Sequence, residues 1–413
     1  MKRREFITLL GGTAVWPLAG TPNHRHRRLL AFISWPAVRS NSQEESLTLI
    51  LSNDDVNELV SIEECIKRLD QTYQDLGNGL AQNRPRSDIY GPIQDNGRYI
   101  FKTMDGMVPR FEVAAIRLNS DTIRWSLTPA GIRKDKQPTG PGGKWIGLVL
   151  LFSMRTGEPL AIMPDGVMER LRVAGTHALA AKYMAAQNAS IYALIGAGWQ
   201  ATGQAIAMAA VRKLKEIRVY SPTQANRERL AKELGDTLGI KVVASPDART
   251  AARGADIVGT ATNSITPVIE LDWLEQHAHV TCVKELELGH GILGNSSLVV
   301  VHTRIDRPAN YIVGRGENPI FDHDPQEGLT GEIAKIRASK PPTEIDLTKQ
   351  ADLAELAAGM VQRPRPGTMT TFVNTIGMGL QFAAVGSLAY EKAQAAGRGR
   401  EIPTDWLLED VHP

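Results

Sequence analysis

The chain has 413 residues, 42% of them hydrophobic and 22% charged, with a formal net charge of +2. That profile fits a globular protein long enough for two domains, and it gives no sign of a nucleic-acid or membrane-surface partner. Its two cysteines, Cys65 and Cys282, lie far apart. With no H-E-x-x-H or clustered Cys/His pattern, they point to buried thiols in a reducing compartment and to no metal.

Residues 1–45 are set apart from the fold. Lys2-Arg3-Arg4 precedes an apolar stretch reaching Leu18, which resembles a twin-arginine export signal. No A-x-A cleavage site follows, and a second basic cluster runs from His24 to Arg28. The stretch is too short to span a bilayer. A signal leading to the periplasm and an extension unused by the folded protein both remain open.

A folded region is expected from Leu47. Asn53-Asp54-Asp55 offers helix caps, and a helix through Ile66 to Leu76 ends at Gly77-Asn78-Gly79. Strands are expected at Tyr99–Thr103, Phe111–Leu118, Thr122–Leu127 and Trp145–Phe152, with turns at Asp105-Gly106 and from Pro138 to Gly143. This reads as an α+β domain with an antiparallel sheet. A helix from about Met168 to Gln187 leads to the next segment.

There the run Ile191–Ile195 reads as a buried strand that breaks on Gly196-Ala197-Gly198 and opens, through Trp199, into a helix from Gln200 to Arg212. Gly196 suits the tight turn, Gly198 lets the backbone come close, and Ala201 takes the third, small position of a G-x-G-x-x-A fingerprint. Such a turn brings backbone N–H groups and the positive helix end to a diphosphate. Strand-like runs follow at Glu216–Tyr220, Lys241–Ala244, Ala255–Ala261, His279–Val283 and Ser297–His302, with a helix from about Ala225 to Leu234. The alternation predicts an α/β, Rossmann-type doubly wound parallel sheet. The candidate cofactor contacts are Gly196, Ala197, Gly198, Trp199, Gln200 and Ala201, with Thr260, Thr262 and Val283 at the ends of later strands.

An acidic residue at the end of the second strand would bind a ribose 2′-hydroxyl, and an arginine there would accept a 2′-phosphate. Tyr220 is followed by Ser221-Pro222-Thr223, with Arg227 and Arg229 in the next helix. No carboxylate occupies the spot, so the expectation is NAD(P) with a lean to NADP, and Ser221, Thr223 and Arg227 are candidate contacts. Both arginines also suit a solvated helix face. Beyond His302 the chain reads as loop to about Gly328, then helical over Thr330–Ala338, Asp352–Val361 and Phe372–Gly397. The cofactor domain (168–329) is therefore expected as an insertion, with 46–167 and 330–413 together forming a substrate-binding and dimerisation domain.

From Leu47 to Ile402 these motifs resemble the ornithine cyclodeaminase/mu-crystallin family. The resemblance rests on Thr156-Gly157-Glu158-Pro159 leading to Asp165, Leu171-Arg172 leading to Gly175, Ala178 to Ala185, Gly196 to Ala201, and Met369 to Gly399. It implies a nicotinamide cofactor, a homodimer built through the non-Rossmann domain, and a small α-amino or α-imino acid substrate. Implied activities are cyclisation of ornithine to proline with loss of ammonia, reduction of cyclic ketimines such as pyrroline carboxylates, and alanine-type dehydrogenation. A non-catalytic, mu-crystallin-like binding protein is the alternative of another class. A soluble cofactor needs metabolic replenishment, which favours the cytoplasm.

The family's basic side chains hold a substrate carboxylate, for which an arginine fork is well shaped. Arg86 and Arg172 match that role, and Arg117 stands where many members carry a lysine. The resemblance also marks departures. Leu286 falls where cyclodeaminases carry an aspartate, flanked by Glu285 and Glu287, which would share a face of a strand and are the candidate acid–base residues. Val373 and Phe382 replace a lysine and an aspartate.

Overall fold

Short apolar runs build one of the two sheets in the computed structural model, which describes residues 46–93, 97–128, 131–264, 266–305, 307–320 and 344–411. Its eight strands lie in the order Lys241–Ala244, Glu216–Tyr220, Ile191–Ile195, Ile257–Thr260, His279–Cys282, Thr370–Val373, Leu298–Val301 and Ala351–Asp352. All neighbours run parallel. Alternate residues of Ile191–Ile195 enter different cores. Tyr192 and Leu194 pack with Ala201, Ala205 and Met208 of the following helix. Ala193 and Ile195 pack with Ala251, Val258 and Val280. Burial on both faces explains why these strands read as unbroken apolar runs. The strand order reverses between Ile191–Ile195 and Ile257–Thr260, and a doubly wound sheet opens its ligand crevice at such a reversal.

Thr370–Val373 lies between Leu298–Val301 and His279–Cys282 and pairs with both. Three expectations are corrected here. The helix expected from Phe372 to Gly397 is a fully buried strand, Thr370–Val373, followed by a helix, Gly379–Ala396. Thr370-Thr371-Phe372-Val373 carries β-branched and aromatic side chains, and the small-residue run after it hid that signal. The parallel sheet thus draws strands from beyond 329, while Ala309–Ile312, expected within the cofactor domain, pairs with Ser87–Pro92 in the other sheet. The helix expected over Asp352–Val361 shortens to Leu353–Ala357, capped by Asp352. The one expected over Thr330–Ala338 lies outside the described residues.

The second sheet runs Ala309–Ile312, Ser87–Pro92, Arg98–Val108, Val113–Thr128, Ile146–Ser153, Pro159–Pro164, Leu47–Ile50 and Arg400–Pro403. Gln82–Asn83 and Gly131–Gln137 attach to its third and fourth strands. It is mixed rather than purely antiparallel, since Leu47–Ile50 runs parallel to Pro159–Pro164, and Ala309–Ile312 to Ser87–Pro92. Two expected strands are one, Val113–Thr128. Asn119-Ser120-Asp121 looks like a turn by composition, but Asn119 and Asp121 are buried side chains on the inner face. Asp105-Gly106 is likewise not a turn but lies within Arg98–Val108. A Cβ on Gly106 would sit 2.5 Å from the Leu380 backbone nitrogen, so glycine there admits the last long helix.

Side chains alternate along this sheet. On the inner face, Met104, Val108, Val113 and Ala115 join one core with Leu69, Leu179, Leu380 and Ala383 from the helices Ile62–Gly77, Asp165–Met184 and Gly379–Ala396. Further along, the same face turns charged, with Lys102, Arg117, Asn119 and Asp121 buried. The outer face leaves Ile89, Tyr99, Met107, Ile146 and Leu148 exposed. No helix among the described residues is long and apolar enough to cross a membrane.

Candidate dinucleotide and carboxylate site

The turn after Ile195 is shaped by what glycine alone permits. Gly196 has φ of 132°, and a Cβ there would lie 2.3 Å from the Ala261 carbonyl oxygen of the neighbouring strand's end. A side chain would be strained and would collide. Gly198 is the N-cap of the helix Trp199–Val211, and no side chain caps that helix. Its first N–H groups and positive dipole end are therefore open. Ala201 is fully buried. The closest helix packing comes one turn later, at Gly203, where a Cβ would meet Arg170 Cγ at 2.7 Å. Trp199 is exposed, donates Nε1–H to the Gly166 carbonyl at 3.3 Å, and lies 4.1 Å from the Arg170 guanidinium. Gln200 buries a side-chain oxygen without a partner, and the Ala197 carbonyl accepts from Arg229 Nη2 at 3.4 Å. A backbone forced into close approach beside an uncapped helix start fits the diphosphate of a dinucleotide.

At the end of Glu216–Tyr220, Arg227 turns back on its own loop. Its Nη1 donates to the carbonyls of Ser221 at 3.0 Å and Pro222 at 3.4 Å, and its guanidinium lies 5.9 Å from the Tyr220 ring. Thr223 is the N-cap residue of Gln224–Leu238, and its hydroxyl makes no capping bond.

The two candidate glutamates are not equivalent, and they do not share a strand face. Glu285–Glu287 is a 3₁₀ turn. Glu287 is fully buried and accepts from Thr260 Oγ1 (2.9 Å), Thr262 N (2.7 Å), Thr262 Oγ1 (2.6 Å) and Lys284 N (3.1 Å). Four donors occupy its lone pairs, so it ties the ends of Ile257–Thr260 and His279–Cys282 together instead of standing ready as an acid or base. Glu285 is only partly buried. Val283 N–H donates to the Thr260 carbonyl at 3.2 Å, so the three later cofactor candidates gather at one edge of the crevice.

The arginines converge from the other sheet and from Asp165–Met184. Arg86 donates from Nε and Nη2 to Asp88 at 2.6 and 2.5 Å. Arg117 is almost wholly buried and donates to Asp165 at 2.7 Å and Glu169 at 2.5 Å. Arg172 reaches Gln381 at 3.1 Å and Glu169 at 3.5 Å, and its buried Nε has no partner. The Phe382 ring lies 5.4 Å from the Arg117 guanidinium and 5.2 Å from that of Arg172, so both cations border one apolar ring. Burial raises the Glu169 carboxyl, but Arg117 and Arg172 outweigh it and hold the group well below the usual carboxylate range. Glu169 thus joins Arg117 and Arg172, and its charge also reaches Arg86. Arg117 is spent on two carboxylates. Arg172 keeps a buried donor.

Lysines that local sequence did not flag complete the cluster. Lys102 and Lys136 share Asp121, the latter at 3.1 Å. Burial, with Arg86 and Lys136 nearby, pushes Lys102 down to about 8. Lys284 donates to the Ser264 carbonyl at 2.9 Å, and burial lowers it too. The available signal was alternation: Lys102 sits between Ile100 and Met104 on one buried face.

Comparison with known proteins shows the family of the chain. The family model described as "Ornithine cyclodeaminase/mu-crystallin family" matches residues 47–397. An alanine dehydrogenase of Archaeoglobus fulgidus is 24% identical over 355 residues, 86% of this chain and 98% of that protein. A Delta(1)-pyrroline-2-carboxylate reductase of Bacillus cereus is 26% identical over 260 residues, 62% of this chain and 74% of that protein. The Thermococcus litoralis Delta(1)-pyrroline-2-carboxylate reductase, solved with NADH and L-proline, is 25% identical with a TM-score of 0.66, covering 86% of this chain and all (100%) of that one.

Proposed function

The chain belongs to the ornithine cyclodeaminase/mu-crystallin family, and we propose that within it this protein is a nicotinamide-dependent oxidoreductase of a small α-amino or α-imino acid, working as a dehydrogenase or imine reductase. The observation that carries this is the Gly196 turn, flanked by the strand Ile257–Thr260 whose following loop is bonded through Asn263 to Gly131–Gln137, a strand of the sheet side that bears the cations proposed for the substrate, Arg86, Lys102 and Arg172. Bound at that turn, the cofactor supplies a hydride to the substrate's C=N carbon or takes one from the corresponding C–H. Arg172, with its unshared Nε–H, and Arg86, with N–H groups left after Asp88, hold the α-carboxylate. Fixing that group aims the α-carbon, so catalysis is mainly positioning. The substrate nitrogen gains or loses a proton as the hydride moves, and Lys102, pushed down to about 8, is suited to exchange it at Nζ.

Ornithine cyclisation is the second reading. It needs a carboxylate to steer an amine, whereas Glu287 is engaged by four donors and Phe382 occupies a position next to both arginines. A binding protein without turnover is the reading from another class. Isotope-labelled ornithine, followed by product analysis and reduced-cofactor absorbance, separates the three. Oxidation or imine reduction changes the absorbance, and cyclodeamination gives proline without a net change. Cofactor binding without products over a panel of amino and imino acids means a binding protein, and would overturn the proposal.

As further parts of the proposal, the protein acts as a homodimer in the cytoplasm. Ile89, Tyr99, Met107, Ile146 and Leu148 form an exposed apolar stripe on the outer face of the mixed sheet, suited to a second copy. The missing carboxylate after Tyr220 leaves NADP acceptable at the 2′ position, and Arg229, reaching the glycine turn, is better placed for it than Arg227.

A further inference from the structure

Lys134 and Trp125 have no part in the chemistry above. They stand opposite each other in the antiparallel register of Val113–Thr128 with Gly131–Gln137, so their side chains leave the sheet on the same side. That side of the longer strand also carries Asp121, the partner of Lys102. The Lys134 Nζ lies 6.0 Å from the centre of the Trp125 ring system. Among the described residues no carboxylate comes within ion-pairing distance of it, whereas Arg86 has Asp88, and Lys102 and Lys136 have Asp121. Burial disfavours the charge of Lys134; Lys102, Arg86 and Lys284 add to that effect, and Asp88 opposes it. Trp125 is nine-tenths buried, and its Nε1–H has no acceptor. A buried donor left unpaired costs about 1–3 kcal/mol, and an ammonium held among like charges costs further.

The strand Gly131–Gln137 is tied to the parallel-sheet side of the crevice. Asn263, next to Thr262, donates from Nδ2 to Asp135 at 2.8 Å, and its carbonyl accepts from the Lys134 backbone at 3.4 Å. Lys134 is thereby held beside the loop that follows Ile257–Thr260, within reach of the Lys284 charge.

We propose, resting on the α-amino or α-imino acid reading above, that Lys134 and the Trp125 N–H form a second substrate subsite that takes a distal carboxylate, so that the substrate class is dicarboxylic. The α-carboxylate goes to Arg172 and Arg86, and the far carboxylate supplies the acceptor that the Trp125 N–H lacks and a counter-charge for Lys134. The same cations disfavour a diamino acid, whose distal ammonium would enter a region already rich in positive charge.

The test is calorimetric titration of the full-length protein, saturated with reduced nicotinamide cofactor, with succinate and with butyrate. These unreactive probes are both four-carbon acids, and succinate carries the second carboxylate. Succinate is expected to bind at least about tenfold more tightly, a gap of 1.4 kcal/mol. Lys134→Gln should erase that advantage, and Trp125→Phe, a milder change that keeps the ring, should reduce it about threefold. In turnover, the ratio of kcat/KM for aspartate or glutamate to that for alanine should fall at least about tenfold in Lys134→Gln. Equal binding of the two probes by the unmodified protein, or a succinate advantage that survives both substitutions, overturns the subsite. Such a result with alanine turnover intact leaves the parent reading standing. Loss of cofactor binding and of all turnover in the unmodified protein defeats the parent reading instead.

Discussion

The glycine turn and the charged cluster at the mixed sheet present polar groups with different parts of the chain. At Gly196 the recognition surface is backbone: an unusual φ, a close approach to Ala261 and open helix N–H groups. On the mixed sheet it is side chains, and their usefulness depends on which charge each neighbour has already taken. Arg117, on the strand Val113–Thr128, and Arg172, on the helix Asp165–Met184, share Glu169, yet Arg117 is consumed by Asp165 and Glu169 while Arg172 keeps an unpaired Nε–H. A backbone site is thus specified by a few consecutive residues. A side-chain site is specified only once register and ion pairing are complete.

The sharpest way to break this comparison is at Gly196. Gly196→Val forces a β-branched residue to φ of 132° with its Cβ 2.3 Å from a carbonyl oxygen. Titration of reduced cofactor followed by fluorescence should show affinity reduced by at least about 100-fold, the scale of strain costing several kcal/mol. Retained binding with a native circular dichroism spectrum would mean that the turn does not grip the diphosphate.

The two buried arginines come next. Arg117→Met leaves Asp165 and Glu169 without their main partner, and removing one member of a buried ion cluster costs about 3–5 kcal/mol of stability. Denaturant unfolding should register that loss. Arg172→Met should act mainly on the substrate, raising KM for a carboxylate substrate by about 100-fold while cofactor affinity stays near its original value. If the two variants behave alike in both measurements, the division of roles between them is wrong.

Behind Arg172 lies a polar network that makes the site sensitive to acid. His302 bonds Tyr73 at 2.5 Å and the Ile376 carbonyl at 2.6 Å, and His177 bonds Thr281 at 2.5 Å. His177, His279 and His302 are each pushed down to about 3, chiefly by burial, with Arg172 adding to the effect at His177 and His302. Their folded-state values lie below the unfolded value of about 6.5. Between the two the unfolded chain binds more protons, so stability falls as pH drops from about 6.5 toward 3. Calorimetry should show the melting temperature decreasing by several degrees between about pH 6.5 and 4.5. A flat profile would mean that these rings are not held neutral.

What was legible follows the same division. The strand–glycine–helix unit and most strands of the parallel sheet announced themselves, because apolar β-branched runs and glycine spacing are local signals. Thr370–Val373 did not, because a four-residue strand inserted from far along the chain has only its β-branched composition to mark it. Arg86 and Arg172 are legible through the family resemblance, whereas Lys102 and Lys134 are not, since a lysine in a strand looks solvated until its face is known to be inward, and Lys284 heads a 3₁₀ turn whose surroundings local sequence does not disclose. Glu287 stands out in the sequence as a candidate acid or base, and the structure surrounds it with four donors. Its partners Thr260 and Thr262 are 25 or more positions away, and nothing in the local sequence discloses them.

The smallest expected effect tests the same lesson on the cofactor side. Arg227 is a candidate by its place in the helix after the second strand, yet its Nη1 is bonded to the carbonyls of Ser221 and Pro222. A guanidinium serving as a brace for its own loop has little to offer a 2′-phosphate. Arg227→Ala should therefore change the affinities for NADH and NADPH by no more than about threefold each, within the range of a lost partly exposed hydrogen bond. Arg229→Ala should lower NADPH affinity more than NADH affinity. A large, NADPH-selective loss in Arg227→Ala would show that the loop rearranges when cofactor binds and that spacing, not the bonding of the unliganded turn, identifies the residue.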